Sequence, residues 1–166
     1  MFELKKLSKE GIPAAMARVE RYRLLNEAWR AESICRDILA VEPDHQPALI
    51  ALLLSITDQF GVSSTATVAA ARQILAMIHG EYERAYYEGI VCERWATGIG
   101  RRQATASGPM VHDWLRQAME WFEKAHELRP PKNDDALLRW NTCARLIMRD
   151  PSIRPPTDDE VQRTLE

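Results

Sequence analysis

Apolar residues recur every three or four positions along most of the chain, which is the spacing of one face of an α-helix. In the second predicted helix this spacing links Ala31, Cys35, Ile38 and Leu39. The sequence lacks the alternation of apolar and polar residues that marks half-buried strands, and it lacks Asn-Gly and Asp-Gly hairpin turns. The pattern therefore predicts an all-α protein.

Prolines and glycines divide this pattern into about seven segments of helical length. The first helix is expected to begin near Pro13, and the second to end before Pro43, because proline cannot continue the helical hydrogen bonds. The third, from about Pro47 to Phe60, is apolar nearly all round, which predicts neighbours on most of its sides. Four later helices are predicted to carry the apolar positions of segments 68–78, 81–96, 114–125 and 137–147.

The segments outside this helical domain, which spans residues 13–148, lack apolar periodicity. Residues 1–12 are predicted to form a leader, and residues 149–166 a tail that its three prolines keep extended. Within the tail, Thr157-Asp158-Asp159-Glu160 has the pattern of a capping box for one short helix. Residues 97–109 are rich in glycine, alanine, serine and threonine, which predicts a flexible insert.

The composition is that of an ordinary globular domain, and its 166 residues suffice for one well-buried core. A formal net charge of −2 gives no broad attraction to nucleic acid or anionic lipid, so neither partner is expected. No apolar run is long enough to span a bilayer, and no secretory signal precedes the first helix. The three cysteines contain no C-x-x-C pair, which favours buried thiols in a reducing, cytoplasmic compartment.

Two segments share a spacing of small and bulky residues that ends in proline. One carries Ala31, Cys35, Ile38 and Pro43, and the other carries Ala118, Phe122, Ala125 and Pro130. This spacing resembles the second half of a tetratricopeptide repeat, and Gly89 and Tyr22 resemble the small residue and the tyrosine of a repeat's first helix. The resemblance implies antiparallel helical hairpins stacked as a short α-solenoid. A helical bundle with accidental small-residue spacing is the alternative.

The resemblance further implies that the first helix of each hairpin lines a concave groove for a peptide or a protein. By register, this groove is lined by a mixed, largely apolar set: Ile50, Leu54, Asp58, Tyr86, Ile90, Arg94, Asn141 and Arg145. The lysine, asparagine and arginine clamp with which some family members grip a terminal carboxylate is not matched. Asn141 and Arg145, one turn apart, are the one pair suited to an acidic or amide group, and a solvated polar stripe is the alternative.

Two further features are candidates for binding. Gly98-x-Gly100-Arg101-Arg102 would place two guanidinium groups, those of Arg101 and Arg102, near an anion, whereas the alternative is a plain flexible loop. The five tryptophans are the second feature, because any that is exposed would mark a contact surface.

Signs of catalysis are poor in the sequence. It has no G-x-S-x-G elbow, phosphate loop or H-E-x-x-H helix, and one Glu-x-x-His pair, Glu123 and His126, is too few for a carboxylate-bridged metal site. The sequence therefore predicts a non-catalytic adaptor or scaffold without cofactor or metal. The alternatives are a helical domain that mainly forms homo-oligomers and, further off, a small helical enzyme with an unfamiliar site.

Overall fold

The computed structural model describes residues 2–102 and 108–157, and of residues 100–102 it describes the backbone only. These residues form seven α-helices and one short 3-10 helix, Lys9–Gly11, with no strand among them. The predicted all-α class is confirmed. The α-helices are α1 (Ile12–Leu24), α2 (Ala28–Val41), α3 (Gln46–Asp58), α4 (Val68–Leu75), α5 (Glu81–Arg102), α6 (Gly108–Leu128) and α7 (Asp135–Arg149).

The chain divides into two compact units, Met1–Gly80 and Glu81–Glu166. In the first unit α1 packs against α2, α2 against α3 and α3 against α4, and α1 also contacts α3. In the second unit α5 packs against α6, and α6 against α7. Within each unit, helices that follow one another in the sequence are thus packed side by side.

The core of the first unit is built around α3, which is buried on most of its circumference, as its apolar sequence predicts. Its buried residues are Ala48, Leu49, Ala51, Leu52, Leu53, Ser55, Ile56 and Thr57. The buried Ser55 hydroxyl donates a hydrogen bond to the carbonyl oxygen of Ala51 at 2.7 Å, so no polar group is left unsatisfied there. The helix begins at a side-chain cap, because Nδ1 of His45 accepts a hydrogen bond from the amide of Ala48 at 3.2 Å.

The core of the second unit depends on one close approach between α5 and α6. A β-carbon built at Gly89 would lie 2.5 Å from Cε1 of Phe122, a distance at which atoms overlap. Phe122, Ala118 and Ala125 on α6 are fully buried. The small residues that the sequence singled out therefore lie between packed helices, and Phe122 fills the space that they leave.

Two predicted boundaries differ from the structure. Residues 97–102 continue α5 and residues 108 and 109 begin α6, so only residues 103–107 of the predicted insert lie outside the described helices. Each glycine in a helix costs about 1 kcal/mol of helix propensity, but Gly98 is buried, and tertiary packing overrides the local preference. The leader is also shorter than predicted, because Ile12 begins α1 and is buried in the core.

The chain after α7 packs against the start of α6. The Asp150 carboxylate accepts hydrogen bonds from the amide and the hydroxyl of Ser152, at 2.9 and 2.7 Å, and this closes a tight turn. These bonds lower the pKa of Asp150. A β-carbon at Gly108 would collide with the carbonyl oxygen of Ser152, so this turn requires glycine at the first position of α6.

Candidate functional site

Three of the predicted groove residues lie on α3 in the first unit. Ile50 and Leu54 are half-buried, and Asp58 lies in the last turn of the helix. The Asp58 carboxylate accepts a hydrogen bond from Nε of Arg23 at 2.8 Å. This ion pair joins α1 to α3, so it holds the first helices of two successive hairpins side by side, and the Asp58 carboxylate serves that contact.

Tyr86, another predicted groove residue, is the centre of an aromatic cluster in the second unit. Its ring stacks on Tyr82 at 5.7 Å between centroids and meets Tyr87 edge-on at 5.2 Å and Phe122 at 6.0 Å. Burial, and then the neighbouring Tyr86, raise the pKa of Tyr87 to about 12. Tyr87 therefore stays protonated at neutral pH, and the Tyr82 and Tyr86 hydroxyls accept hydrogen bonds from Nδ2 of Asn133 and Nε of Arg139.

Arg139 of α7 connects this aromatic cluster to α7 through hydrogen bonds. Its Nη1 donates a hydrogen bond to the Glu93 carboxylate at 2.7 Å, and its Nε donates one to the Tyr86 hydroxyl at 3.2 Å. Burial disfavours the charge of Arg139, but Glu93 and these hydrogen bonds outweigh burial and raise its pKa. Because its polar groups bond to one another, this cluster is built to hold α5 and α7 together.

Ile90 is a correction to the predicted groove. Its side chain is 1% exposed, so it belongs to the hydrophobic core and not to a surface. Arg94, four residues later, is half-buried on α5.

Asn141 and Arg145 lie on a different side of α7 from the side that faces α5. At 100° per residue, they lie about 200° and 240° around the helix from Arg139, which contacts α5. The structure therefore does not bring them to Tyr86. The side chains of Arg101 and Arg102, the predicted anion-binding pair, lie outside the described residues.

Three exposed apolar side chains of the first unit lie close together in the sequence at the turn between α1 and α2, whereas the more exposed Phe2 and Leu4 precede the first helix. Leu24 is 85% exposed, Leu25 58% and Trp29 61%. Asn26 allows the sharp turn between the two helices with a φ of 59°, a left-handed conformation that asparagine tolerates better than most residues. We call these three side chains, Leu24, Leu25 and Trp29, the turn patch.

Arg30 packs against the tryptophan of the turn patch. The guanidinium carbon of Arg30 lies 4.9 Å from the ring centre of Trp29 and 5.5 Å from that of Tyr22. The Glu27 carboxylate lies 2.9 Å from Nε of Arg30. The cation–π contact restrains the indole ring of Trp29 while leaving most of it in contact with water.

Sequence reasoning included Trp29 among the candidate contact residues but missed Leu24 and Leu25. A signal for all three was present. Leu24 and Leu25 lie off the face that carries Ala15 and Val19, and Trp29 lies about 200° around α2 from Ala31. Large apolar residues that lie outside the buried face of a helix are exposed to water, which is unfavourable, and they therefore indicate a contact surface.

The cysteines are buried, as predicted. Burial raises the pKa of both Cys35 and Cys143 to about 12, and nearby arginines only partly offset that effect. Since the thiolate is the nucleophile, these two thiols are inert near neutral pH.

Iodoacetamide is therefore expected to leave Cys35 and Cys143 unmodified in the folded protein at about pH 8, and to alkylate both in denaturant. Peptide mass spectrometry of the two samples measures this directly. Rapid alkylation of Cys35 in the folded protein would contradict its burial and would show that this thiol can react as a nucleophile.

The remaining site classes find no support in the described residues. No group of three or more histidine, cysteine, aspartate or glutamate side chains among them is arranged to hold a metal ion. None of the described helices combines the length and the apolar character that crossing a bilayer requires. In comparisons with protein-family models, curated proteins and solved structures, the chain matches none of them.

Proposed function

We propose that this protein is a non-catalytic adaptor of the tetratricopeptide type that binds another protein through the turn patch. The observation that carries the proposal is the exposure of Trp29 next to Leu24 and Leu25 on a braced turn. Tryptophan is the residue type most enriched among side chains that dominate binding energy at protein interfaces. A ring already held by Arg30 loses little conformational freedom when a partner covers it.

The repeat architecture is part of the proposal and rests on packing. Ala31, Ala118 and Ala125 are fully buried, and Gly89 admits Phe122, as the repeat's close helix packing requires. The Arg23–Asp58 ion pair joins the first helices of successive hairpins. Buried free thiols suit a reducing compartment, so we propose that the protein acts in the cytoplasm.

The proposal changes the binding surface that the sequence predicted. Tyr86, Asp58 and Ile90 are engaged in ion pairs, hydrogen bonds or the core, whereas the turn patch leaves large apolar side chains uncovered. Desolvation of exposed apolar surface stabilises complexes, so the turn patch is the better candidate.

The test uses the charge-introducing variant Trp29→Glu in the full chain. Partners are identified by affinity purification from the native cell, and the affinity of each purified partner is then measured by calorimetry. We expect Trp29→Glu to weaken binding by about 30-fold, which corresponds to about 2 kcal/mol. Helix content and the unfolding midpoint should stay unchanged, because Trp29 is not part of the core.

Leu138→Glu is the matched control, since Leu138 on α7 is 60% exposed and apolar like Trp29. It should bind with the wild-type affinity. Equal affinities of wild type and Trp29→Glu for every purified partner would exclude the turn patch. A loss confined to Leu138→Glu would move the interface to α7.

A further inference from the structure

The outer face of α1 is a basic and apolar stripe that no other described element covers. On a helical wheel, the residues that make up this face fall within an arc of about 120°. They are Ala14, Ala17, Arg18, Arg21, Leu24 and, at the end of the helix, Leu25. Pro13 and Glu20 are also exposed and lie just beyond the Leu24 edge of this arc, with Glu20 about 100° around the helix from Arg21. We call this surface the α1 face.

The two arginines of the α1 face differ from their neighbours in having no anion beside them. Arg23 pairs with Asp58, and Arg30 with Glu27. In the part of the chain that the structure describes, no carboxylate lies within ion-pair distance of Arg18 or Arg21. Two uncompensated cations followed by exposed leucines form a surface for a segment that is acidic first and apolar afterwards.

The chain contains a segment of that kind in residues 157–166, Thr-Asp-Asp-Glu-Val-Gln-Arg-Thr-Leu-Glu. Its sequence predicts a capped helix with carboxylates in the first turn, where they complement the helix dipole. Four acidic residues and one arginine give this segment a formal charge of −3. Val161 and Leu165, four apart, fall on one side of such a helix together with Asp158.

The spacings of the two elements match in the same direction. Asp158 precedes Val161 by three residues, and Leu165 follows four later. On α1, Arg18 precedes Arg21 by three residues, and Leu25 follows four later. At 1.5 Å per residue both patterns extend over about 10 Å, so a parallel helix in this register sets the Asp158 carboxylate beside Arg18, Val161 beside the aliphatic part of Arg21 and Leu165 beside Leu25.

We infer that residues 157–166 of a second copy of this chain bind along the α1 face, which links copies head to tail. The interface is heterologous, because the acidic segment and the basic face are different parts of the chain. Heterologous contacts can add one copy after another, so the assemblies grow larger as the protein concentration rises. A helix of ten residues is marginal in water, so docking and helix formation are coupled and the affinity is modest. Its electrostatic part weakens as salt rises.

The first experiment measures the molar mass of the full chain by light scattering over about a hundredfold range of concentration, at low and at high salt. The mass should rise with concentration at low salt and fall toward the monomer when the salt is raised. The variant Arg18→Glu/Arg21→Glu should stay monomeric throughout. Arg145→Glu/Arg149→Glu is the matched control, because it makes the same charge change at exposed arginines of α7 and should assemble like the wild type.

Charge reversal on the other side completes the test. Asp158→Arg/Asp159→Arg should also be monomeric alone, and mixing it with Arg18→Glu/Arg21→Glu should restore assembly, since the reversed charges are complementary. Rescue of this kind does not occur when a variant merely misfolds. Failure of the mixture to assemble, with both variants folded, would overturn the proposal.

A labelled peptide of residues 157–166 identifies the occupant. Its binding to the full chain, followed by fluorescence anisotropy, should weaken at least about tenfold in Arg18→Glu/Arg21→Glu. Equal binding of a scrambled peptide would show that any acidic segment suffices, and peptide binding by a chain that stays monomeric at every concentration would point to docking within one copy. Each of these results contradicts the second-copy proposal and leaves the Trp29 proposal untouched.

Discussion

Replacing Gly89 by valine is expected to lower the free energy of unfolding by about 3 kcal/mol, the upper range for overpacking a well-filled core. The new β-carbon would lie 2.5 Å from Cε1 and 2.7 Å from Cδ1 of Phe122. Phe122 is fully buried and in contact with Tyr86, so its ring has no open space to move into. Either α5 and α6 move apart or the ring leaves its preferred rotamer, and both outcomes reduce packing.

Urea denaturation followed by circular dichroism measures this loss. Gln117→Val, on an exposed position of α6, is the control for placing valine in a helix without overpacking the core and should cost less than about 1 kcal/mol. Combining Gly89→Ala with Phe122→Leu should be less destabilising than the sum of the two single changes, because the smaller side chain makes room for the β-carbon. Additive losses would show that the two residues do not meet.

Replacing Arg139 by methionine is expected to cost about 2–4 kcal/mol, because it leaves a largely buried carboxylate without its cation. The side chains of Arg139 and Glu93 are 29% and 13% exposed, and the change also removes the hydrogen bond to Tyr86. The packing of the methylene groups is largely kept by methionine, so the loss reports on the polar contacts.

The same urea experiment provides the measurement, and Arg145→Met on the exposed side of α7 is the control, with an expected change below about 0.5 kcal/mol. Adding Glu93→Met to Arg139→Met should recover part of the stability, since no charge then stays buried. A double variant that is less stable than Arg139→Met alone would contradict this account.

The helices were predictable because their apolar residues repeat at the helical period, and packing in the core preserves that signal. Ala31, Cys35 and Ile38 lie on the buried face of α2 as their spacing indicates. The end of α5 was not predictable in this way. Gly98 and Gly100 locally favour a loop, and whether packing overrides them depends on contacts with residues far away in the sequence.

The prediction that Ile90, Asn141 and Arg145 share one surface with Tyr86 was wrong for a related reason. A repeat register transfers the spacing of residues along a helix, but it does not say how far the helix is rotated against its neighbour. For α7, the hydrogen bond from Arg139 to Glu93 of α5 helps to set that rotation, and these two residues are 46 positions apart in the sequence. Exposure of Trp29 was predictable only in part, because an off-face residue is exposed unless a later element covers it.

The contact between Gly108 and Ser152 bears on how this sequence can change in evolution. The restriction falls on the β-carbon at position 108 and on the main chain at position 152. Every amino acid has a carbonyl oxygen, so the side chain at position 152 is free to drift as far as this contact is concerned, whereas glycine at position 108 is held. Among homologues, position 108 is therefore expected to be substituted much more slowly than position 152, although both belong to the same contact.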